Sequence, residues 1–342
     1  MERQKEIDLI RAFVIVALVF YHAFAPYCGA WHPLSGIGGG NSCYYWIGKS
    51  IISCMLEIFV FISGYLFIAR GSFWLLLGKK FKRLIMPAYF WGFIYVLAIT
   101  PTTLLITHLS TEQTYWGIIN GIGHLWFLPM LFVLFILEYF LQRCSFYANR
   151  WTVSLLVVIA ILPWPSLPFQ ISKALYYWLF FDLGCRFYKK RDRVKNLTKP
   201  TTLIELSIML IFFIFASTEM VNYTNVMQEQ ATDVVSRGLW GMFRQLSRCA
   251  CALVGVWLFF LLAIRYAEKI HSRTYQVVRH MAVYSFGVYL LHEIIMRPLY
   301  YRFEVSCFLG LATPWVTAFF VLTISFLLSI AIKKTKALAW VC

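Results

Sequence analysis

Residues 8–22 read DLIRAFVIVALVFYH, and this stretch decides the fold because it is an apolar run of helix length. Arg11 and His22 bracket ten residues that carry no charge. Steps of 100° from one to the other amount to about three turns, so the two side chains share one face, roughly 16 Å apart along the axis. Asp8 lies one turn before Arg11 and can pair with it. Ionisable groups within a membrane helix indicate a functional site.

The composition is that of a membrane protein. Of the 342 residues, 61% are hydrophobic and 13% are charged, whereas soluble domains have about 25% charged residues. A soluble core could not bury this much apolar surface. The first apolar run continues into Tyr21 and His22 without a small-residue cleavage site, so we expect this run to be a membrane anchor rather than a removed signal.

Ten apolar runs are long enough to cross a bilayer, which takes about 20 residues. If the N-terminus is cytoplasmic, all but seven of the 31 Lys and Arg residues lie in inside segments, as the positive-inside rule requires. We therefore predict an all-α polytopic membrane fold in a single domain over residues 1–342, with both termini cytoplasmic. The predicted spans are 9–28, 47–68, 84–106, 122–141, 151–168, 172–188, 201–219, 240–264, 281–300 and 311–332.

The net charge of +16 lies in short loops between the apolar runs. It therefore indicates membrane topology, and we expect no nucleic-acid partner. The nine cysteines form no CxxC pair and no Cys/His cluster at metal-ligand spacing. We therefore predict no metal site from the sequence.

The first helix carries two complementary chemical groups. Histidine suits general-base chemistry near neutral pH, and the fixed fork of arginine donors suits phosphate. In the predicted topology Arg11 lies near the cytoplasmic surface and His22 toward the outer half of the membrane. A phosphorylated carrier bound at Arg11 could thus bring its reactive end to His22. The alternative is that Arg11 is only a topological anchor and His22 only an interfacial histidine.

Two further groups are candidates, an acid at membrane depth in the second predicted span and a basic run at the cytoplasmic end of the predicted bundle. Glu57 precedes FVFISGYLF at 59–67, and an acid at this depth requires a partner, either His22 or Arg11 or a residue elsewhere. Lys80 and Arg83 belong to the basic run KKFKR. This run could hold a diphosphate or contact lipid headgroups.

Four residues are candidates for contact with a second substrate. His124 lies in GHLWFLP at 123–129, at the outer start of the fourth predicted span. Arg244 and Arg248 share a helical face on the side where the positive-inside rule disfavours cations. They either bind an anionic or sugar substrate, pair with acids or extend to headgroups. His292 ends YSFGVYLLH and is either a substrate contact or a hydrogen-bonding core residue.

Together these segments resemble the acyltransferase 3 family, integral membrane enzymes that transfer acyl groups to extracytoplasmic sugars and related acceptors. Arg11 and His22 resemble the family's R-x10-H motif, and Asp8 precedes them as in the family. Glu57 with residues 59–66 is similar to the second-helix pattern of an acid followed by FF-x-ISGYL.

The resemblance extends to residue 292. The basic run ending at Arg83 resembles the family's RxxR motif, although Lys80 takes the place of the first arginine. The segments HLWFL at 124–128 and YSFGVYLLH at 284–292 resemble two further parts of the family pattern.

The resemblance implies an O-acyltransferase in the inner (plasma) membrane, using acetyl-CoA or another acyl-CoA as donor and no metal. Arg11, with Arg83 and Lys80, would hold the donor phosphates. His22 would deprotonate a hydroxyl of the acceptor, a sugar or glycolipid presented from outside.

The resemblance implies that the remaining candidate residues, which lie within the lipid bilayer, support the base or contact the acceptor. Glu57 or Asp8 would steady the charge network around the base. The candidates for acceptor contact remain His124, Arg244, Arg248 and His292.

Two other functions are compatible with ten spans. A secondary transporter of sugars or lipids would also carry intramembrane charges, but such proteins often show repeated pairs of broken helices. Residues 163–168 are the single broken candidate in the sequence. A membrane sensor or scaffold would not need Arg11 and His22 on one face.

Overall fold

The computed structural model describes residues 4–34, 42–52, 54–99, 117, 119–149, 151–197 and 202–335. Within these ranges the ordered elements are helices, without a strand. The predicted all-α class is therefore confirmed. The Gly-rich segment at 36–40, which is part of the first predicted outside loop, lies outside the described residues.

The helices follow the apolar runs of the sequence. A π-helical turn, Phe81–Ile85, joins α4 to α5, and a 3₁₀ turn, Gly123–Trp126, leads into α6. In chain order the α-helices are α1 (Lys5–Phe24), α2 (Ser42–Ile52), α3 (Met55–Tyr65), α4 (Phe73–Lys80), α5 (Met86–Ile99), α6 (Phe127–Leu141), α7 (Trp151–Ile161), α8 (Ile171–Leu197), α9 (Leu203–Gln230), α10 (Val234–Lys269), α11 (Ser272–Tyr301), α12 (Ser306–Leu309) and α13 (Thr313–Lys334).

Six stretches of the described chain are long and apolar enough to cross a bilayer, so the chain is a multi-pass membrane protein. The helix in the predicted span 151–168 ends at Ile161 after eleven residues. Helices α8 and α11 are long but more polar. Ten spans, cytoplasmic termini and a single domain stay predictions. The six stretches are Lys5–Phe24, Cys43–Tyr65, Gly123–Leu141, Leu203–Gln230, Val234–Lys269 and Ser306–Lys334.

Helix α1 lies at the centre of the bundle, where it packs against α2, α10, α11 and α13. Val14, Ile15 and Val19 are fully buried along it. Helices α9 and α13 are mostly exposed at the periphery. Apolar side chains such as Ile211 and Phe212 on α9 are about 70% exposed, as expected for a surface that faces lipid.

Helices α3 and α8 cross at very short distance. A Cβ atom at Gly64 of α3 would overlap the carbonyl oxygen of Phe181, and one at Gly184 of α8 would overlap that of Phe61. Small residues at both positions let the two backbones approach, which is how many membrane helices associate. The crossing holds Glu57 of α3 against α8, and this placement determines its partners.

Candidate active site

A cavity of about 490 Å³ runs alongside α1. Its walls come from α1, α3, the α4–α5 junction, the start of α6, α10 and α11. Arg11 and His22, which lie roughly 16 Å apart along the axis, both line this cavity, and we call it the passage. Six of the residues singled out in the sequence line it, namely Arg11, His22, Lys80, Arg83, His124 and Arg248.

One end of the passage is cationic. The Nη2 of Arg11 donates a hydrogen bond to Ser285 Oγ at 3.3 Å. Lys80 Nζ lies over the ring of Phe135, 3.3 Å from its centroid. Burial, with a smaller contribution from the neighbouring guanidinium of Arg83, lowers the pKa of Lys80 to about 7. Because no described lining residue is a carboxylate, this end favours an anionic ligand.

A π-helical turn, Phe81–Ile85, carries part of the basic run. Lys80 and Arg83 line the cavity, whereas Lys79 and Lys82 do not. A π turn inserts one residue per turn and is often found at functional sites. The sequence indicated a basic cluster, and the structure shows which two of its cations line the cavity.

The other end of the passage carries three histidines around one carboxylate. His22 Nδ1 lies 3.0 Å from Glu293 Oε1, and His124 Nδ1 lies 3.5 Å from Glu293 Oε2. The ring of His292 packs against both, with its centroid 5.0 Å from that of His22 and 4.6 Å from that of His124. Helices α1 and α11 and the 3₁₀ turn before α6 therefore converge here.

Glu293 is held by two donors besides the histidines. Tyr95 donates its hydroxyl to Oε2 at 3.0 Å, and Arg297 donates Nε–H to the same oxygen at 3.1 Å. Oxygen Oε1 is thus the one closest to His22. A carboxylate at this distance stabilises a positive charge on the His22 ring.

The segment that carries His124 requires a glycine. Gly123 has φ of +55°, a conformation that side-chain-bearing residues rarely adopt. A Cβ atom there would come within 2.6 Å of the Tyr95 ring. Tyr289 donates its hydroxyl to the carbonyl oxygen of His124 at 2.6 Å. Close packing on both sides fixes the histidine next to Glu293.

His292 lies behind the passage and does not line it. It is fully buried, and its Nδ1 lies 2.7 Å from the carbonyl oxygen of Tyr289. Since a carbonyl can only accept, Nδ1 carries the hydrogen. This placement fits the alternative that the sequence left open, a hydrogen-bonding core residue, and the contact of His292 with the acceptor stays a prediction.

The two acids proposed to steady His22 lie elsewhere. Glu57 accepts a hydrogen bond from the Tyr176 hydroxyl at 3.1 Å and lies 3.6 Å from Arg248 Nη2. Its partner is thus neither His22 nor Arg11, because the α3–α8 crossing turns it toward α8 and α10. Asp8 accepts a hydrogen bond from the Tyr275 hydroxyl at 2.9 Å. Neither acid lines the passage.

The carboxylate beside His22 is Glu293, which the sequence reasoning passed over. Glu293 directly follows His292 inside the predicted span 281–300. An acid in a membrane span is a signal of function in itself, and it was available in the sequence. What the sequence does not contain is the contact between α11 and α1.

A second cavity, of about 440 Å³, adjoins the first. Arg244 lines the second cavity but not the first, whereas Arg248 lines both cavities. The two arginines predicted to bind a second substrate therefore lie at separate positions around one junction. Arg237, on the same helix, lines neither cavity and donates to the carbonyl oxygen of Ala231 at 3.2 Å.

His22, His292 and Glu293 also form a group of potential metal ligands, with ligand atoms within 4.8 Å of one another. The sequence search for metal-ligand spacing could not detect it because His22 and the other two lie in distant parts of the chain. Glu293 Oε2 already accepts from Tyr95 and Arg297. This carboxylate is therefore better suited to orient an imidazole than to bind a cation.

The chain was compared with curated proteins, solved structures and protein-family models. No curated protein and no solved structure gives a significant match to it. The family model described as acyltransferase domain, of the acyltransferase 3 family, matches residues 4–334. That range contains both ends of the passage and nearly the whole sequence. The chain therefore belongs to the acyltransferase 3 family and is a membrane acyltransferase.

Proposed function

We propose that the protein transfers an acyl group, acetyl in the simplest case, from cytoplasmic acyl-CoA to a hydroxyl of an extracytoplasmic sugar or glycolipid. The observation that carries this proposal is that Arg11 and His22 line one cavity. A phosphate-binding group and a base at opposite ends of one passage suit a donor whose charged and reactive parts are far apart.

The donor fits the passage in length and charge. Arg11, Lys80 and Arg83 would hold the phosphates, with the arginines as forked donors. The pantetheine arm is about as long as four extended residues, roughly 14 Å, which is close to the roughly 16 Å between Arg11 and His22. Its thioester would thus reach the histidine end while its phosphates stay at the cationic end.

The reaction needs one base and no covalent enzyme intermediate. His22 Nε2 takes the proton of the acceptor hydroxyl as the oxygen attacks the thioester carbonyl carbon. The C–O bond of the new ester forms, the C–S bond breaks, and the CoA thiolate leaves with the proton from the imidazolium. Glu293, 3.0 Å from His22 Nδ1, stabilises the positive charge that develops on the ring.

The sidedness of the reaction follows from the predicted topology, with both termini cytoplasmic. The Arg11 end then opens inward and the His22 end outward, so donor and acceptor meet without either crossing the membrane completely. The corresponding location is the inner (plasma) membrane, with the acceptor on its outer side.

A transfer assay tests the proposal. Purified protein in nanodiscs receives acetyl-CoA labelled in the acetyl group, together with a total glycan and lipid extract from the producing cell. His22→Ala should reduce transfer by about 10²–10⁴-fold, the usual contribution of a general base. His280→Ala, at an exposed histidine of α11, is the matched control and should transfer normally.

Two results would contradict the proposal. Wild-type transfer by His22→Ala would exclude this histidine as the base. A wild-type protein that neither transfers nor hydrolyses the labelled donor would instead favour a transporter.

A further inference from the structure

The second cavity is built for a ligand of different chemistry from the donor. It adjoins the passage through shared walls at Leu56, Trp126 and Arg248. Its volume of about 440 Å³ falls within the roughly 300–1,000 Å³ of small-ligand sites. A molecule seated there lies next to the passage that contains His22.

The cavity has an uncompensated positive charge. Of its three cations, Arg248 pairs with Glu57. Within the part of the chain that the structure describes, Lys173 and Arg244 have no carboxylate at ion-pair distance, and no acid lines the cavity. Arg244 donates a hydrogen bond to the neutral amide of Asn225 at 3.4 Å. Such a site attracts an anion.

The remaining walls suit a sugar. The indole of Trp164 is fixed by its donation to the carbonyl oxygen of Ile159 at 2.8 Å, and Lys173 Nζ lies 3.8 Å from the ring of Trp126. Aromatic faces are electron-rich and attract the weakly positive C–H edges of a pyranose. The amides of Gln228 and Gln245, also in the wall, can both donate to and accept from hydroxyls.

We propose that this cavity binds the acceptor and that the acceptor is an anionic glycan, one whose sugar units carry carboxylates. Arg244 and Lys173 bind the acid group, and the indole of Trp164 and the two amides hold the sugar rings. Arg248, fixed by Glu57 at the junction, borders the route to the passage. That the bound glycan is the acceptor rests on the proposed function. The cavity's preference for anionic sugars can be measured by binding alone.

Binding is measured by calorimetry on the full-length protein in phosphatidylcholine nanodiscs, without acyl-CoA. The probes are tetragalacturonate, which carries four carboxylates, and maltotetraose, which is neutral. We expect tetragalacturonate to bind at least tenfold more tightly than maltotetraose. Arg244→Gln should weaken tetragalacturonate binding at least tenfold, whereas Arg237→Gln, on the same helix but outside the cavity, should not.

A steric variant tests the location independently of charge. A Cβ atom at Gly241 would lie 2.9 Å from Gln228 Nε2 in the cavity wall, whereas one at Gly238 meets nothing within 4 Å. Gly241→Leu should therefore abolish tetragalacturonate binding, and Gly238→Leu on the same helix should preserve it.

Three results would overturn the inference. They are no binding of tetragalacturonate, equal affinity for the two probes, and equal loss with Arg244→Gln and Arg237→Gln. A fourth arm uses nanodiscs containing phosphatidylglycerol: if anionic lipid abolishes probe binding in the wild type, the cations serve lipid headgroups and the inference also fails. Absence of acyl transfer with intact, Arg244-dependent binding would instead refute the proposed function and leave the anionic-glycan site standing.

Discussion

The substitution Glu293→Gln should slow acyl transfer strongly because it removes the negative charge beside His22 while keeping the size of the side chain. The two side chains have the same shape, and the contact of 3.0 Å with His22 Nδ1 can be kept by the amide oxygen. The amide nitrogen then replaces the oxygen that accepts from Tyr95 and Arg297. What is lost is the attraction between the carboxylate and the imidazolium that forms in the reaction. We therefore expect an effect on kcat rather than on donor binding.

The size of the effect follows from the distance between the groups. Unit charges about 4 Å apart interact by about 4 kcal/mol at an effective dielectric constant of about 20. Both side chains are largely buried, with exposures of 12% for His22 and 2% for Glu293, so solvent screening reduces this little. At 1.36 kcal/mol per tenfold in rate, the loss is on the order of 10³-fold in kcat.

The assay is release of CoA from acetyl-CoA by purified protein in nanodiscs with the cell extract as acceptor, quantified by mass spectrometry. Glu268→Gln is the control, since Glu268 is 57% exposed and pairs with Arg265, three residues earlier on the same helix. Size-exclusion profiles verify that each variant is folded. If Glu293→Gln is folded and retains more than a tenth of the wild-type kcat while His22→Ala is inactive, the assigned role of the carboxylate is refuted.

The other predictions concern donor binding, helix packing and the loop at the base. Lys80 has a pKa of about 7, so it loses its proton as the pH rises from 6 to 8. The KM for acyl-CoA should therefore rise up to about tenfold over that range. Lys80→Arg should abolish this pH dependence, and Lys79→Ala should leave it unchanged. Gly64→Ala should lower the thermal unfolding temperature because a Cβ overlaps the neighbouring helix, whereas Gly78→Ala, with nothing within 4 Å, should not. Gly123→Ala should lower kcat in folded protein, because its φ of +55° and the nearby Tyr95 ring leave no room for a methyl group; a wild-type kcat would contradict this.

Local periodicity was sufficient to predict one side of the site. The shared face of Arg11 and His22 follows from helix geometry alone, because a continuous apolar run of this length has no other stable conformation in a bilayer. The same argument indicated the all-helical class. It did not predict that helix α3 begins at Met55 and ends at Tyr65, inside the second predicted span.

The partners of the charged groups could not be predicted in the same way. The sequence left the partner of Glu57 open among His22, Arg11 and a residue elsewhere, and the α3–α8 crossing turns it toward Tyr176 and Arg248. That crossing depends on two glycines 120 residues apart, Gly64 and Gly184. Likewise, His22 and Glu293 meet only because α1 packs against α11. Such contacts arise from tertiary packing, which a hydropathy pattern does not contain.

The central claim is that one passage brings the thioester of a cytoplasmic donor to His22. It is tested most directly by cryo-electron microscopy of His22→Ala protein bound to acetyl-CoA, a variant that should retain the donor unreacted. We expect the phosphates at Arg11, Lys80 and Arg83 and a continuous pantetheine density along α1 that ends beside position 22. Donor density that lies outside this passage, or a thioester that ends in the second cavity, would contradict the claim.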